Sequence, residues 1–176
     1  MVRSANVSRQ TTSTIDAWKV TLEELWRSSP DQSLVFIGVG HPLRGDDYIG
    51  SHVVKEVMKR AEGRRNVHLF DAEGSVETII AKVVELKPSH VIFIDACEMS
   101  GQPGETRLIS MDQTDYPFFT THGIPLKLLA QKILSESETW VLAIQPKQVE
   151  FSDRLSPEVQ EAGKAISEYI LRRLEA

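Results

Sequence analysis

Val91-Ile92-Phe93-Ile94 sets four apolar residues in succession, and Leu34-Val35-Phe36-Ile37 does the same. A strand with one wet face alternates apolar and polar residues. An unbroken apolar run instead suits a parallel strand covered by helices on both sides. Between these runs lie stripes at helical spacing: Ile49, Val53 and Val57, widened by Val54 and Met58, then Val76, Ile79, Ile80, Val83, Val84 and Leu86. The second stripe closes near Lys87-Pro88. Val67 to Asp71 and Trp140 to Ile144 read as further strands, and Glu105 to Ile109 as a shorter one with partial alternation. Strand and helix alternate without a break in composition. The expected fold is a three-layer α/β/α sandwich on a twisted, mostly parallel central sheet.

Both ends carry helices. Ile15, Trp18, Leu22 and Leu25 recur at helical spacing and stop near Ser28-Ser29-Pro30, after a polar tail of about 12 residues. The chain therefore divides into an extension, residues 1–30, and a single α/β domain, residues 31–176. The extension's helix either covers the core or offers a face to a partner. Ser156-Pro157-Glu158 reads as a helix start, with serine as cap and proline in the first turn. Val159, Ala162, Ile166, Ile170 and Leu174 then make one stripe along a helix roughly 30 Å long. Pro125 is expected to open another helix, carrying Leu128, Leu129 and Ile133.

Bulk properties remove several classes of function. A formal charge of −5 argues against a general nucleic-acid binder. No apolar run approaches the roughly 18 residues that span a bilayer, so membrane insertion is not expected. The N-terminus lacks the apolar stretch of a secretory signal, and the expected compartment is the cytoplasm. One cysteine, Cys97, rules out an intrachain disulfide framework. It reads as a packed thiol, because no adjacent base is identifiable.

Chemistry concentrates where the apolar runs end. Gly38-Val39-Gly40-His41-Pro42-Leu43-Arg44-Gly45-Asp46-Asp47 begins as a phosphate loop would, then places two carboxylates where a phosphate would be repelled. Leu43 occupies the last glycine position of a dinucleotide fingerprint, and Asp46-Asp47 stand where a Walker loop needs Lys and Ser or Thr. Arg44 reads as a partner for Asp46 or for an incoming carboxylate. The loop suits a cation. Asp71 and Asp95 follow strand runs directly, and the carboxyl ends of parallel strands share one edge, where ligands bind. His122, in Thr120-Thr121-His122-Gly123, presents an imidazole beside a glycine. Asp47, Asp95 and His122 together form a donor set suited to a borderline divalent ion such as nickel or zinc. No His-Glu-x-x-His helix and no Gly-x-Ser-x-Gly elbow occurs. Glu73 and Glu77 read either as a recognition pocket beside Asp71 or as a solvated helix start. His52 and His68 are assigned to helix and strand surfaces, and His90 to the position before a strand.

These motifs resemble the nickel-dependent hydrogenase maturation endopeptidases, in particular the branch processing the large subunit of hydrogenase 3-type enzymes. The resemblance rests on GVGHPLRGDDYIG (38–50), FDAEG (70–74), VIFIDACEMSGQPGETRLI (91–109), TTHGIPLKLL (120–129) and AIQP (143–146). It implies nickel contacts from Asp47, Asp95 and His122, and an assisting role for Asp71. It also implies removal of a C-terminal extension from a nickel-loaded large-subunit precursor, with nickel carried by that precursor. A monomer meeting that partner is the simplest expectation. Two departures stand out. The family usually has Gly-Gly after the assisting aspartate, where this chain has Ala72-Glu73, and asparagine where it has His41. Two other readings remain at this level: a non-catalytic nickel checkpoint using the same residues, and an unrelated hydrolase on a similar scaffold.

Overall fold

The computed structural model describes residues 17–28, 33–61, 66–73, 75–111, 120–121, 124–125 and 136–176, with side chains at all of these except 120–121 and 124–125. In chain order the elements are α1 (Ala17–Arg27), β1 (Leu34–Val39), a 3-10 turn (Gly45–Tyr48), α2 (Ile49–Arg60), β2 (Val67–Glu73), α3 (Glu77–Leu86), β3 (His90–Ala96) and β4 (Thr106–Ser110). There follow β5 (Thr120–Thr121), β6 (Ile124–Pro125), β7 (Glu138–Ile144) and α4 (Pro157–Glu175).

The main sheet has the order β2-β1-β3-β7-β4. All neighbours are parallel except β4, which runs antiparallel to β7 at one edge. Every residue of β1 is buried, as is β3 up to Asp95, so the unbroken apolar runs do mark strands covered on both faces. Alternate residues divide between two cores. Phe36, Ile92, Ile94, Leu142 and Ile144 meet α1, α2 and α4 on one side. Val35, Ile37, Val91, Phe93 and Val141 meet α3 on the other. The three-layer sandwich is borne out.

α1 settles the alternative left by its sequence. Trp18, Leu22 and Leu25 are buried in the core shared with α4. Trp18 meets Tyr169 edge-on with ring centroids 5.5 Å apart, and the Tyr169 hydroxyl donates to Glu23 at 2.9 Å. The helix covers the core.

Three local expectations need correction. His90 is the first residue of β3 and is buried, with Nε2 3.3 Å from Glu138. The neighbouring strand supplies an acceptor that lets an imidazole sit inside the sheet. Pro125 lies in β6, paired with Thr120, rather than in a first helical turn. A two-residue ladder tolerates proline because it has few hydrogen bonds to lose. Ser156 precedes α4, and Pro157 takes the first turn as expected, but the serine side chain makes no capping bond. Its hydroxyl donates instead to Asp46, a charged and therefore stronger acceptor. The polar tail, Gly63, His122 and the helix expected around Leu128, Leu129 and Ile133 lie outside the described residues.

Candidate active site

β1 lies between β2 and β3, so the chain steps to one side after β1 and to the other before β3. At such a reversal the connections leave the sheet in opposite directions and open a crevice at the carboxyl ends of the strands. The predicted carboxylates gather there. Gly38 is level with Asp71 on one side and Ile94 on the other, one residue before Asp95. Asp47 enters from the loop that follows β1.

Backbone proximity explains the glycines of that loop. Gly40 has φ +141°, a value side chains rarely adopt, and a Cβ there would collide with the carbonyl of Asp47. A Cβ on Gly50 would collide with the carbonyls of Ile94 and Val39. The start of α2 therefore rests directly on the ends of β1 and β3. The glycines bring carboxylates close to the sheet edge rather than cradling phosphate.

Asp46 and Asp47 are neighbours with opposite duties. Asp46 is fully buried and accepts four hydrogen bonds, from the Lys147 N–H (2.9 Å), the Gln148 N–H (3.0 Å), the Ser156 N–H (2.6 Å) and the Ser156 hydroxyl (2.7 Å). Burial alone would raise its pKa, but these donors hold the carboxyl below its ordinary value. Arg44 is not among its partners; Arg44 is exposed and bridges to Ser152 through the backbone. Asp47 is half-buried and faces the crevice side, accepting the His41 N–H at 3.1 Å. The backbone of His41, not its imidazole, makes that contact.

Asp95 is 3% exposed. Burial pushes its carboxyl well above the usual range, and the negative charge of Asp47 pushes it further. Two carboxylates held this way are an unfavourable pair until a proton or a cation joins them. A divalent cation between them would relieve both burdens. Cys97 is buried too, and its thiol is raised by burial and by the charges of Asp95 and Asp47, so it is no nucleophile.

Asp71 carries an ion pair that the sequence reading missed. Lys55 Nζ lies 3.1 Å from Asp71 Oδ2 and 2.6 Å from Glu73 Oε1, over the ring of Tyr48 at 5.4 Å. These contacts raise the lysine pKa, Glu73 most of all. The one available signal was the position of Lys55, off the apolar stripe of the helix that leaves the acidic loop. Glu73, at φ 43°, sits in the left-handed region, where glycine would be unstrained. The strand bulges there, since Val39 pairs with Glu73 directly after Gly38 pairs with Asp71. Strain at Glu73 is thus offset by its pair with Lys55. Urea unfolding should show Glu73→Gly within about 0.5 kcal/mol of wild type, but stabilising by about 1 kcal/mol when Lys55→Met is already present. Equal effects in both backgrounds would refute the offset.

Among the described residues no group of three metal-binding side chains is assembled. The structure gathers Asp47, Asp95 and Asp71 at one edge, while His122 lies outside the described residues.

Residues 51–173 match the family model of HycI, hydrogenase maturation protease. The chain belongs to the hydrogenase maturation protease family. The matched span takes in Asp71, Asp95 and His122, and Asp47 lies four residues before it. The hydrogenase 3 maturation protease of Escherichia coli K12 is 30% identical over 134 residues, 75% of this chain and 85% of that protein. The crystal structure of a [NiFe] hydrogenase maturation protease from Thermococcus kodakarensis superposes with a TM-score of 0.78 at 26% identity, covering 89% of this chain and 99% of that one. The solution structure of an endopeptidase from Escherichia coli gives 0.70 at 28% identity, covering 82% and 92%. The chain is a hydrogenase maturation endopeptidase. No helix among its described residues is long and apolar enough to cross a membrane.

Proposed function

We propose that this endopeptidase removes the C-terminal extension of a [NiFe]-hydrogenase large-subunit precursor, and does so after nickel is in place. The observation that carries the reading is the carboxylate pair at the strand reversal: Asp95, buried and driven toward protonation by Asp47, is a site short of positive charge. Asp47 and Asp95 would contact nickel held by precursor thiolates, with His122 as the third donor. Two oxygens and one nitrogen fit that borderline ion. Bound there, the ion supplies Lewis acidity toward the scissile carbonyl or a water.

The chain's own residues do the remaining work. Asp47 and Asp95 fix the cation and hence the peptide beside it, which turns a diffusive encounter into a positioned one. Asp71 is held by Lys55 and by the Glu73 N–H at 3.1 Å, and in this reading it would orient the attacking water. His122 lies 12 residues beyond Ser110. A segment of that length reaches about 40 Å when extended, against about 17 Å for the five residues of β4, so the chain is long enough to bring the imidazole to the carboxylates. The precursor is the partner, the enzyme works as a monomer, and the cytoplasm is the compartment of the reaction.

Purified protein incubated with nickel-loaded and nickel-free precursor should shorten only the loaded form, as read by intact mass. Asp47→Asn and His122→Ala should each slow this by at least about 100-fold. Undiminished cleavage by both variants would refute the donor set. Shortening of the nickel-free form would refute the metal requirement, and binding without mass loss would favour a checkpoint role.

A further inference from the structure

The loop carrying Asp47 does not end at the crevice. Its backbone is laced to the connector between β7 and α4. The Gly45 N–H donates to the Ser152 carbonyl at 2.8 Å, the Ser152 N–H donates to the Leu43 carbonyl at 3.0 Å, and Arg44 and Ser152 form a parallel bridge. Asp46 locks the same two segments together through Lys147, Gln148 and Ser156. On this doubly fastened platform three apolar side chains face outward: Phe151 is 85% exposed, Leu43 44% and Val149 43%. Leu43 and Phe151 flank the bridge, and Val149 is two residues from Phe151. Charged Arg44, Glu150, Asp153 and Arg154 are exposed around them.

Single exposed apolar residues are ordinary, but a cluster with a charged rim is the composition of an interface. Leaving Phe151 in water forgoes the stabilisation that burying a large aromatic ring would give. The backbone is already ordered, so a partner that buries the ring would lose little conformational freedom in doing so.

We infer that Phe151, Leu43 and Val149 form the docking surface for the folded precursor, with the Phe151 ring entering an apolar pocket on the substrate protein. The inference rests on the proposed substrate. Continuity with the crevice selects this occupant: Val149 follows Gln148, whose N–H holds Asp46, and Asp47 is the next residue. Leu43 lies in the loop that the His41 N–H closes onto Asp47, so a protein whose peptide chain reaches Asp47 would meet this platform beside it. The active-site carboxylates provide chemistry and a test for nickel, while the apolar platform provides affinity for the protein that carries it.

The test compares wild type with Phe151→Ser and Leu43→Ser, and with Val84→Ser as a control at an exposed apolar site on α3. Intact-mass kinetics on nickel-loaded precursor should show KM raised at least about tenfold for Phe151→Ser, with kcat within about threefold of wild type. Val84→Ser should match wild type, and thermal melting should confirm that all variants are folded. Titration calorimetry with nickel-free precursor reads docking without cleavage, and should show the same loss for Phe151→Ser. Unchanged KM and Kd in Phe151→Ser would overturn the docking surface while leaving the endopeptidase reading intact. Phe151-dependent binding without cleavage of the loaded form would do the reverse. A concentration-dependent dimer of wild type alone, abolished by Phe151→Ser in sedimentation, would assign the patch to self-association and also overturn the proposal.

Discussion

Asp95→Asn should abolish precursor cleavage, by at least about 1,000-fold, and at the same time make the free protein harder to unfold. The two effects share one cause. Asp95 is raised above its ordinary value of 3.8 by burial and by Asp47, so between that pH and its native pKa the folded protein binds more protons than the unfolded chain. Stability attributable to this group therefore falls as pH rises from 3.8 through the native value. An amide of the same shape carries no charge to desolvate and none for Asp47 to repel. The variant's advantage should be absent near pH 3.8, grow as pH rises, and reach about 1 kcal/mol, or about 3 °C in Tm, at neutral pH. On the proposed reading it loses an anionic oxygen that the cation would need, and activity is expected to fail with it. Scanning calorimetry across pH 4–8, with cleavage assays in parallel, checks both halves. A variant that melts below wild type at neutral pH, or that still cleaves, would contradict this account.

Asp46→Ala should produce the largest loss of stability of any single change at the site, about 3–5 kcal/mol, or at least about 10 °C in Tm. Three backbone N–H groups and one hydroxyl would lose a charged acceptor, and the start of α4 would lose its anchor to the acidic loop. Against a typical total of 5–15 kcal/mol this approaches global unfolding. Asp47→Ala, one residue away, should cost less than about 1 kcal/mol because Asp47 is half-buried and accepts a single described hydrogen bond. Acid sensitivity follows with the opposite sign to Asp95. The native Asp46 carboxyl lies below 3.8, so its contribution is complete above about pH 5 and drains away as pH falls past 3.8 toward the lower native value. Urea unfolding of both alanine variants at neutral pH tests the contrast. Equal losses would refute the division of labour.

Much of this was legible in the chain. Unbroken apolar runs announced buried parallel strands, and residues at their ends announced the reactive edge, because strand direction alone brings Asp71 and Asp95 to one side. What stayed hidden depended on partners remote in sequence. Asp46 and Asp47 are chemically identical neighbours; only the connector about 100 residues later decides which is structural. Lys55 is an ordinary solvent-side lysine until β2 places two carboxylates beside it. Gln145 is similar. Within AIQP it is one more polar residue, yet its buried amide accepts the Met99 and Gly101 N–H groups and donates to Glu98, fastening the loop after Asp95. Ser156 misled because capping is a local rule, and a long-range carboxylate competed successfully for its hydroxyl.

Cys97 has a practical consequence. At 2% exposure and with its thiol raised, it stays protonated and shielded across the neutral range. The enzyme's one cysteine is therefore a poor target for alkylating reagents and for air, whereas on the proposed reading nickel would be held on the substrate by thiolates, which react with both. When iodoacetamide or oxygen stops maturation in a mixture of the two, the expected site of damage is the precursor and not Cys97.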